Sequence, residues 1–226
     1  MPSTTDEAPY FPALQERSRR TLERILAATE KLLEKRAFDE IAVAEIVRIA
    51  RTSIGSFYAR FPDKDGLLPL LYERYDAALE ESLERAERSA RLPGRSLEEA
   101  AEAVARHAVA FHAGRLELLR ALALFVRRHP GRIGPKARAR RARQHAFLLR
   151  GLLAHRKSIR HRRPDRAAAL GVYFVFCAAR DSVLFPRATH AAAAALEGDE
   201  LVRELSRLLL AYLAFPAVRR KKGSVP

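Results

Sequence analysis

A chain of 226 residues that is 48% hydrophobic and 31% charged has the material for one helical domain of ordinary size, plus a small head, under a soluble surface. Its single cysteine, Cys177, excludes an intrachain disulfide and fits a reducing cytoplasm, and its longest apolar run, 167–179, is shorter than the roughly 20 residues a membrane-spanning helix needs. The formal charge of +15 does not by itself name nucleic acid as the partner: residues 1–62 are nearly balanced, the excess sits at 127–166 and 219–222, and high-GC codon usage alone produces such arginine- and alanine-rich composition.

Residues 1–16 hold Pro2, Pro9 and Pro12 without periodicity and predict a flexible arm. This polar, acidic opening is not expected to act as a secretion signal. A first helix is expected over about 18–35, with Leu22, Ile25, Leu26, Thr29, Leu32 and Leu33 facing a core and Phe38 closing the corner. Val43, Ile46, Val47 and Ala50 then fall at i, i+3, i+4 and i+7, one face of a second helix. Arg51-Thr52 breaks that pattern, and Ser53 is a suitable N-cap for a third helix with Ile54, Phe57, Tyr58 and Phe61 at the same spacing. Two short helices about a tight turn, the second rich in small and hydroxyl residues, suit a helix-turn-helix.

A long fourth helix is expected from Asp63, with Pro69 kinking it about two turns in. Leu92-Pro93-Gly94 ends it, and Ser96 with Glu99 forms a capping box for the next. Proline and glycine signals place further helices at about 97–113, 115–129, 135–156, 164–185 and 199–214. No strand-like alternation survives, and the 191–195 alanine tract is helix-compatible but featureless. The 164–185 helix is apolar on most sides, so it needs wide burial, and a second subunit would supply it.

The stretch Thr52-Ser-Ile-Gly-Ser-Phe-Tyr-Ala-Arg-Phe-Pro-Asp-Lys-Asp-Gly-Leu67 resembles the signature of the TetR family of bacterial transcriptional regulators, and Arg20–Ala27 resembles that family's first helix. The likeness covers roughly residues 17–70, and the spacing of Phe57-Tyr58, Phe61 and Lys64 is its specific part. It implies an all-α chain of about nine helices: an arm (1–16), a helix-turn-helix head (17–62), a helical effector-binding and dimerisation domain (63–215) and a basic tail (216–226). Three positions depart from the family pattern: Ala42 cannot cap the second helix, Arg51 stands where the turn usually has glycine, and Ala37 stands where glycine commonly ends the first helix.

The resemblance further implies a homodimeric, cytoplasmic, non-enzymatic regulator, a repressor that a small-molecule effector releases from a palindromic DNA operator. Arg51, Thr52, Ser53, Ile54, Gly55, Ser56, Tyr58, Arg60 and Lys64 are the candidate DNA-binding residues. Gly55 would allow close backbone approach, Ile54 would meet a thymine methyl, and Tyr58 and Lys64 would hold phosphates. Spacing alone suits Ile54 and Tyr58 equally to a core, and Lys64 to a solvated surface. In this family the last two long helices form a four-helix dimer interface. That points to 164–185 and 199–214, with Leu170, Phe174, Leu184, Leu205, Leu209 and Leu213 as interface residues. Interior helices line an effector pocket, for which Phe111, His112, Phe125, His145, Phe147, Tyr173, Phe174 and Cys177 are candidates, each equally suited to an ordinary core.

Arg138, Arg140, Arg141, Arg143, Arg156, Lys157, Arg160, Arg162 and Arg163 read as a solvated face, with a second nucleic-acid surface or the mouth of an anionic-ligand site as the sharper alternatives. The corresponding alternative function is an effector-insensitive helical module that binds DNA or protein through this basic surface. His107, His112, His145 and His155 lack metal-ligand spacing, so no metal or cofactor is expected. No phosphate loop, nucleophile elbow or paired-carboxylate motif is present, which argues against an enzyme.

Overall fold

The computed structural model describes residues 16–88, 95–132, 134–187 and 196–215, and the expected arm, the 191–195 tract and the basic tail lie outside them apart from Glu16. Among the described residues there are nine α-helices and no strand. They are α1 (Glu16–Leu33), α2 (Val43–Ile49), α3 (Ile54–Tyr58), α4 (Leu67–Arg88), α5 (Leu97–Ala113), α6 (Leu116–Arg128), α7 (Pro135–Leu153), α8 (Pro164–Leu184) and α9 (Gly198–Ala214). Their packing defines two compact units, 1–82 with 115–137 and 83–114 with 138–226. The division runs through α4 rather than at 62/63. The first turns of α4 bury Leu67, Leu68, Leu70, Leu71 and Tyr72 in the head's own core, and α6 adds Leu118, Ala121 and Leu122 to it.

In the first unit, α1 packs Ile25, Leu26, Ala28 and Leu33 against Ile46 and Val47 of α2, Ala50 at its end, and Phe57 and Phe61. Phe57 and Phe61 are fully buried with ring centroids 5.0 Å apart, a separation at which tilted rings attract. Arg74 of α4 pairs with Glu23 at 2.5 Å and Glu30 at 3.1 Å, tying that helix to α1.

The start of α4 differs from expectation. Asp63 Oδ1 accepts the Gly66 N–H at 3.0 Å and caps a short 3-10 turn, Lys64–Gly66, before the α-helix begins at Leu67. Pro69 is therefore the third residue of α4, not an interior one. In the first turn its missing N–H has no intrahelical acceptor to lose, so neither a kink nor a hinge follows from it.

In the second unit, α5, α8 and α9 pack together around Val104, Ala105, Ala108, Val172, Val175, Leu205, Leu209 and Leu213. Small residues bring α8 and α9 close: a Cβ added at Gly171 would lie 2.4 Å from Leu209 Cδ1. Leu209 is itself buried, so its methyl has nowhere to go. Gly171→Ala should lower stability by about 1–3 kcal/mol, the usual cost of overpacking, which a urea titration would read as a lower midpoint. The capping box forms one residue out of place. Ser96 Oγ accepts the Glu99 N–H at 3.2 Å, while the Glu99 carboxylate accepts from Arg95 N, not Ser96 N, at 2.8 Å.

The extent of α8 matches the expected 164–185 span and exceeds the apolar run within it. The helix is 21 residues long, and by length and composition it could cross a membrane. The apolar run understated it because the helix continues through Asp165-Arg166 at one end and Arg180-Asp181 at the other. One stripe of it, Ala167, Ala168, Gly171, Val172, Val175 and Ala179, is buried within the unit, as in a core helix.

Candidate functional site

The turn between α2 and α3 is closed by hydrogen bonds from Arg51 N to Arg48 O (3.3 Å) and from Thr52 N to Val47 O (3.0 Å). This reciprocal pair requires a left-handed residue at Arg51, whose φ is +50°. A side chain there costs on the order of 1 kcal/mol relative to glycine. The Arg24 guanidinium of α1 reaches the Arg51 carbonyl at 3.4 Å and holds the turn against the head. Ala37, the third departure, has extended backbone at φ −63° and carries no such strain.

Ala42 provides no cap, and its place is taken from the other side. Glu45 accepts the Ala42 N–H at 3.1 Å and pairs with both Arg36 nitrogens at 2.7 and 3.1 Å. The Arg36 hydrogen bond, followed by the Ala42 N–H, lowers the Glu45 carboxyl from an ordinary value near 4.5 to about 2. A carboxyl lowered on folding stabilises the fold at pH values above its unfolded pKa, and that stabilisation is lost as pH falls through the folded one. The head should therefore lose stability between about pH 4.5 and pH 2. Glu45→Gln should be less stable than wild type at neutral pH and converge with it at the acid end, as thermal melts across that range would show.

Ser53 Oγ accepts the Ser56 N–H at 3.1 Å and starts α3 as its cap. The helix is only five residues long, and it buries Phe57 alone. Ile54 and Tyr58 are 51% and 50% exposed, so the core reading of these two residues fails. Arg51, Ser53 and Gly55 are also exposed, with Thr52 and Ser56 half-buried beside them. A Cβ at Gly55 would meet nothing nearer than Ser53 Oγ at 4.0 Å, so no internal packing requires glycine at this position. The outward face of α3 is thus a thymine-sized apolar side chain, a bare backbone patch, hydroxyls and a phenol. That set suits contacts to base edges and phosphates in a groove.

Two of the nine expected contact residues are engaged elsewhere. The Lys64 ammonium donates to the carbonyls of Phe38 (2.7 Å), Asp39 (3.2 Å) and Ile41 (3.0 Å) and lies 4.7 Å from the Phe38 ring centroid. All three of its N–H donors thereby bind the corner after α1, which makes it a brace for the start of α4. Lys64→Ala should cost about 1–3 kcal/mol through those unsatisfied carbonyls and lower the melting temperature even without DNA. The Arg60 guanidinium donates to the Ser56 carbonyl, to Ser56 Oγ at 3.0 Å and to Ser18 Oγ at 2.9 Å, pinning the end of α3 to the start of α1.

The eight candidate pocket residues do not converge. Phe125 belongs to the first unit, where its ring stacks 5.0 Å from His129 beside an open recess of about 60 Å³. Tyr173 and Phe174 point outward at 56% and 54% exposure, and the neighbouring Cys177 holds the Tyr173 phenol above its usual range. Phe147 lies beneath the Arg150 guanidinium, 5.4 Å away, and His145 is half-buried on the same helix. Phe111 and His112 do cluster, with two residues outside the candidate set, His107 and Phe176, and all four rings lie within 5.0–6.3 Å of a neighbour. His112 is buried and donates to the Ala108 carbonyl at 2.7 Å, and burial pushes its imidazole below the usual histidine range. Phe176 was hidden in the sequence because α8 is apolar on nearly every side.

The six interface candidates also divide. Leu184, Leu205, Leu209 and Leu213 are buried within the single chain, each at 4% exposure or less. Leu205, Leu209 and Leu213 are core residues because they occupy the stripe that meets α5 and α8. Leu170 and Phe174 stay exposed, with Tyr173 on the same helix and Leu208 on α9.

Comparison with known proteins places the head. Residues 25–71 match the family model for bacterial regulatory proteins of the tetR family. The solved structures it resembles include a tetR-family regulatory protein from Rhodococcus RHA1 (TM-score 0.57, 15% identity, covering 85% of this chain and 96% of that one). The fatty acid degradation regulator FadR from Bacillus halodurans also matches (TM-score 0.52, 15% identity, 84% and 94%), as does reduced NemR from E. coli (0.50, 19%, 88% and 100%). At these identities the likeness is one of fold. No curated protein matches by sequence.

Proposed function

We propose that this chain, whose residues 25–71 match the tetR family model, is a homodimeric repressor which reads a palindromic operator with α3 and leaves it when a small effector binds. The observation that carries the DNA-reading part is the exposure of Ile54 and Tyr58 on either side of an unobstructed Gly55. Arg51, Thr52, Ser53 and Ser56 complete the contact surface, while Arg60 and Lys64 hold the helix in place. Dimerisation is supported by the apolar side chains left uncovered on α8 and α9, which a twofold axis would bury against their copies.

The effector part rests on the buried His112 and the aromatic rings of Phe111 and Phe176 beside it. An effector seated there would favour a dimer whose heads no longer match half-sites one helical turn apart, about 34–36 Å. The test uses the DNA flanking the protein's own gene. Fluorescence anisotropy should show tight, salt-sensitive binding to one segment of it. A compound that raises the melting temperature of the protein should also release that segment. A compound that binds and leaves DNA affinity unchanged would count against release, and failure to prefer any segment would count against operator recognition.

A further inference from the structure

We infer that the connector between α7 and α8 is a second, sequence-independent binding surface for the phosphate backbone of duplex DNA. Residues 156–166 carry six cations and one acid. That acid, Asp165, is taken by Arg156 at 2.6 and 3.3 Å. The other five, Lys157, Arg160, Arg162, Arg163 and Arg166, are all exposed, and their side chains have no hydrogen-bond or ion-pair partner among the described residues.

The connector is a built structure. Ile159 is buried as its anchor, and the backbone N–H groups of Arg160 and His161 both donate to Leu213 O at the end of α9, at 3.0 and 3.1 Å. The His161 ring stacks 5.5 Å from Tyr212, and its Nδ1 accepts the Arg163 N–H at 3.1 Å. The backbone that carries the five charges is therefore fixed before any partner arrives, which reduces the entropy lost on binding.

Stability of the fold does not explain the charges. A cation near a helix C-terminus gains about 0.3–1 kcal/mol, which accounts for one or two beside Leu153 and Ala214. Arg162, Arg163 and Arg166 instead flank the N-terminal end of α8, where the helix dipole disfavours cations. Four of the five are arginines, whose planar fork matches two phosphate oxygens at once. The only large apolar side chain of the connector, Ile159, is buried, so the surface has nothing to insert into a bilayer. Duplex DNA presents one negative charge about every 1.7 Å of its axis, a density that several fixed cations can meet together without reading sequence.

The test uses the full chain and its fivefold variant K157Q/R160Q/R162Q/R163Q/R166Q, with R162Q/R163Q as a milder second variant. Binding to a duplex of unrelated sequence is measured by anisotropy over a range of salt concentrations, in the wild-type background and in Gly55→Leu, which removes the base contacts of α3. Each phosphate contact contributes about 0.9 to the slope of log affinity against log salt. The fivefold variant should lower that slope by about 2–4 in both backgrounds, and the double variant by about half as much, with unchanged melting temperature. Slopes equal to wild type would overturn the proposal. So would loss of binding to phosphatidylserine vesicles with DNA binding unchanged, since that would assign the surface to lipid.

Discussion

Gly55→Leu should fold as well as the wild type and lose operator binding. A Cβ at position 55 meets open space, and replacing glycine within a helix gains up to about 1 kcal/mol in propensity, so the free protein gives no reason for glycine there. The reason lies in what approaches from outside. A leucine would hold the backbone away from the groove floor and separate Ile54 and Thr52 from the base edges they would contact. Losing two such contacts, at about 1–3 kcal/mol each, weakens specific binding roughly 30-fold to 10,000-fold. Binding to unrelated duplex should change far less, because phosphate contacts carry no sequence. A melting curve beside an operator titration separates the two effects. Normal operator affinity in Gly55→Leu would mean that another element reads the DNA.

Phe174→Arg combined with Leu208→Glu should dissociate the dimer. Both side chains are exposed in the single chain, at 54% and 65%, and neither supports the protomer's own core. In a twofold interface each contributes twice, so four side chains at about 1.5–3 kcal/mol apiece give about 6–12 kcal/mol of association. Sedimentation at micromolar concentration should show monomers, and operator affinity should fall with the dimer because one head spans only one half-site. The comparison variant is Leu209→Ala. Leu209 is buried within the protomer, so its loss should lower stability by about 2–5 kcal/mol without selectively separating subunits. A dimeric Phe174→Arg/Leu208→Glu protein would place the interface elsewhere.

The helices were legible where local chemistry marks their ends. Ser53 and Ser96 cap where expected, Pro164 opens α8, and α5 spans the residues read from Gly114 and the Ser96 signal. Arg51 was legible as a strained position because the turn demands a left-handed residue whatever its side chain. Ile54 and Tyr58 were not legible as exposed. They share the helical spacing of Phe57 and Phe61, and only the shortness of α3 and the position of the head core decide which residues are covered.

Lys64 was misread for a different reason. Its three carbonyl acceptors lie 23–26 residues earlier, in a corner whose geometry no local pattern encodes. The α9 leucines were misassigned because Leu205, Leu209 and Leu213 form one apolar stripe and Leu208 begins another. Sequence does not say which stripe the protomer takes for itself. The pocket candidates scattered because aromatic residues on interior helices are equally suited to filling a core, and Phe125 belongs to a different packing unit from the rest.

The central claim is that the exposed face of α3, presented twice by a dimer, selects a palindromic DNA sequence. Repeated selection from a pool of random duplexes tests it most directly, with the wild type and Gly55→Leu run side by side. The wild type should enrich an inverted repeat whose half-site centres are about one helical turn apart. Footprinting should then protect both half-sites on one face of the duplex, and Gly55→Leu should enrich nothing. No enriched sequence with folded wild-type dimer, or the same inverted repeat from Gly55→Leu, would contradict the account.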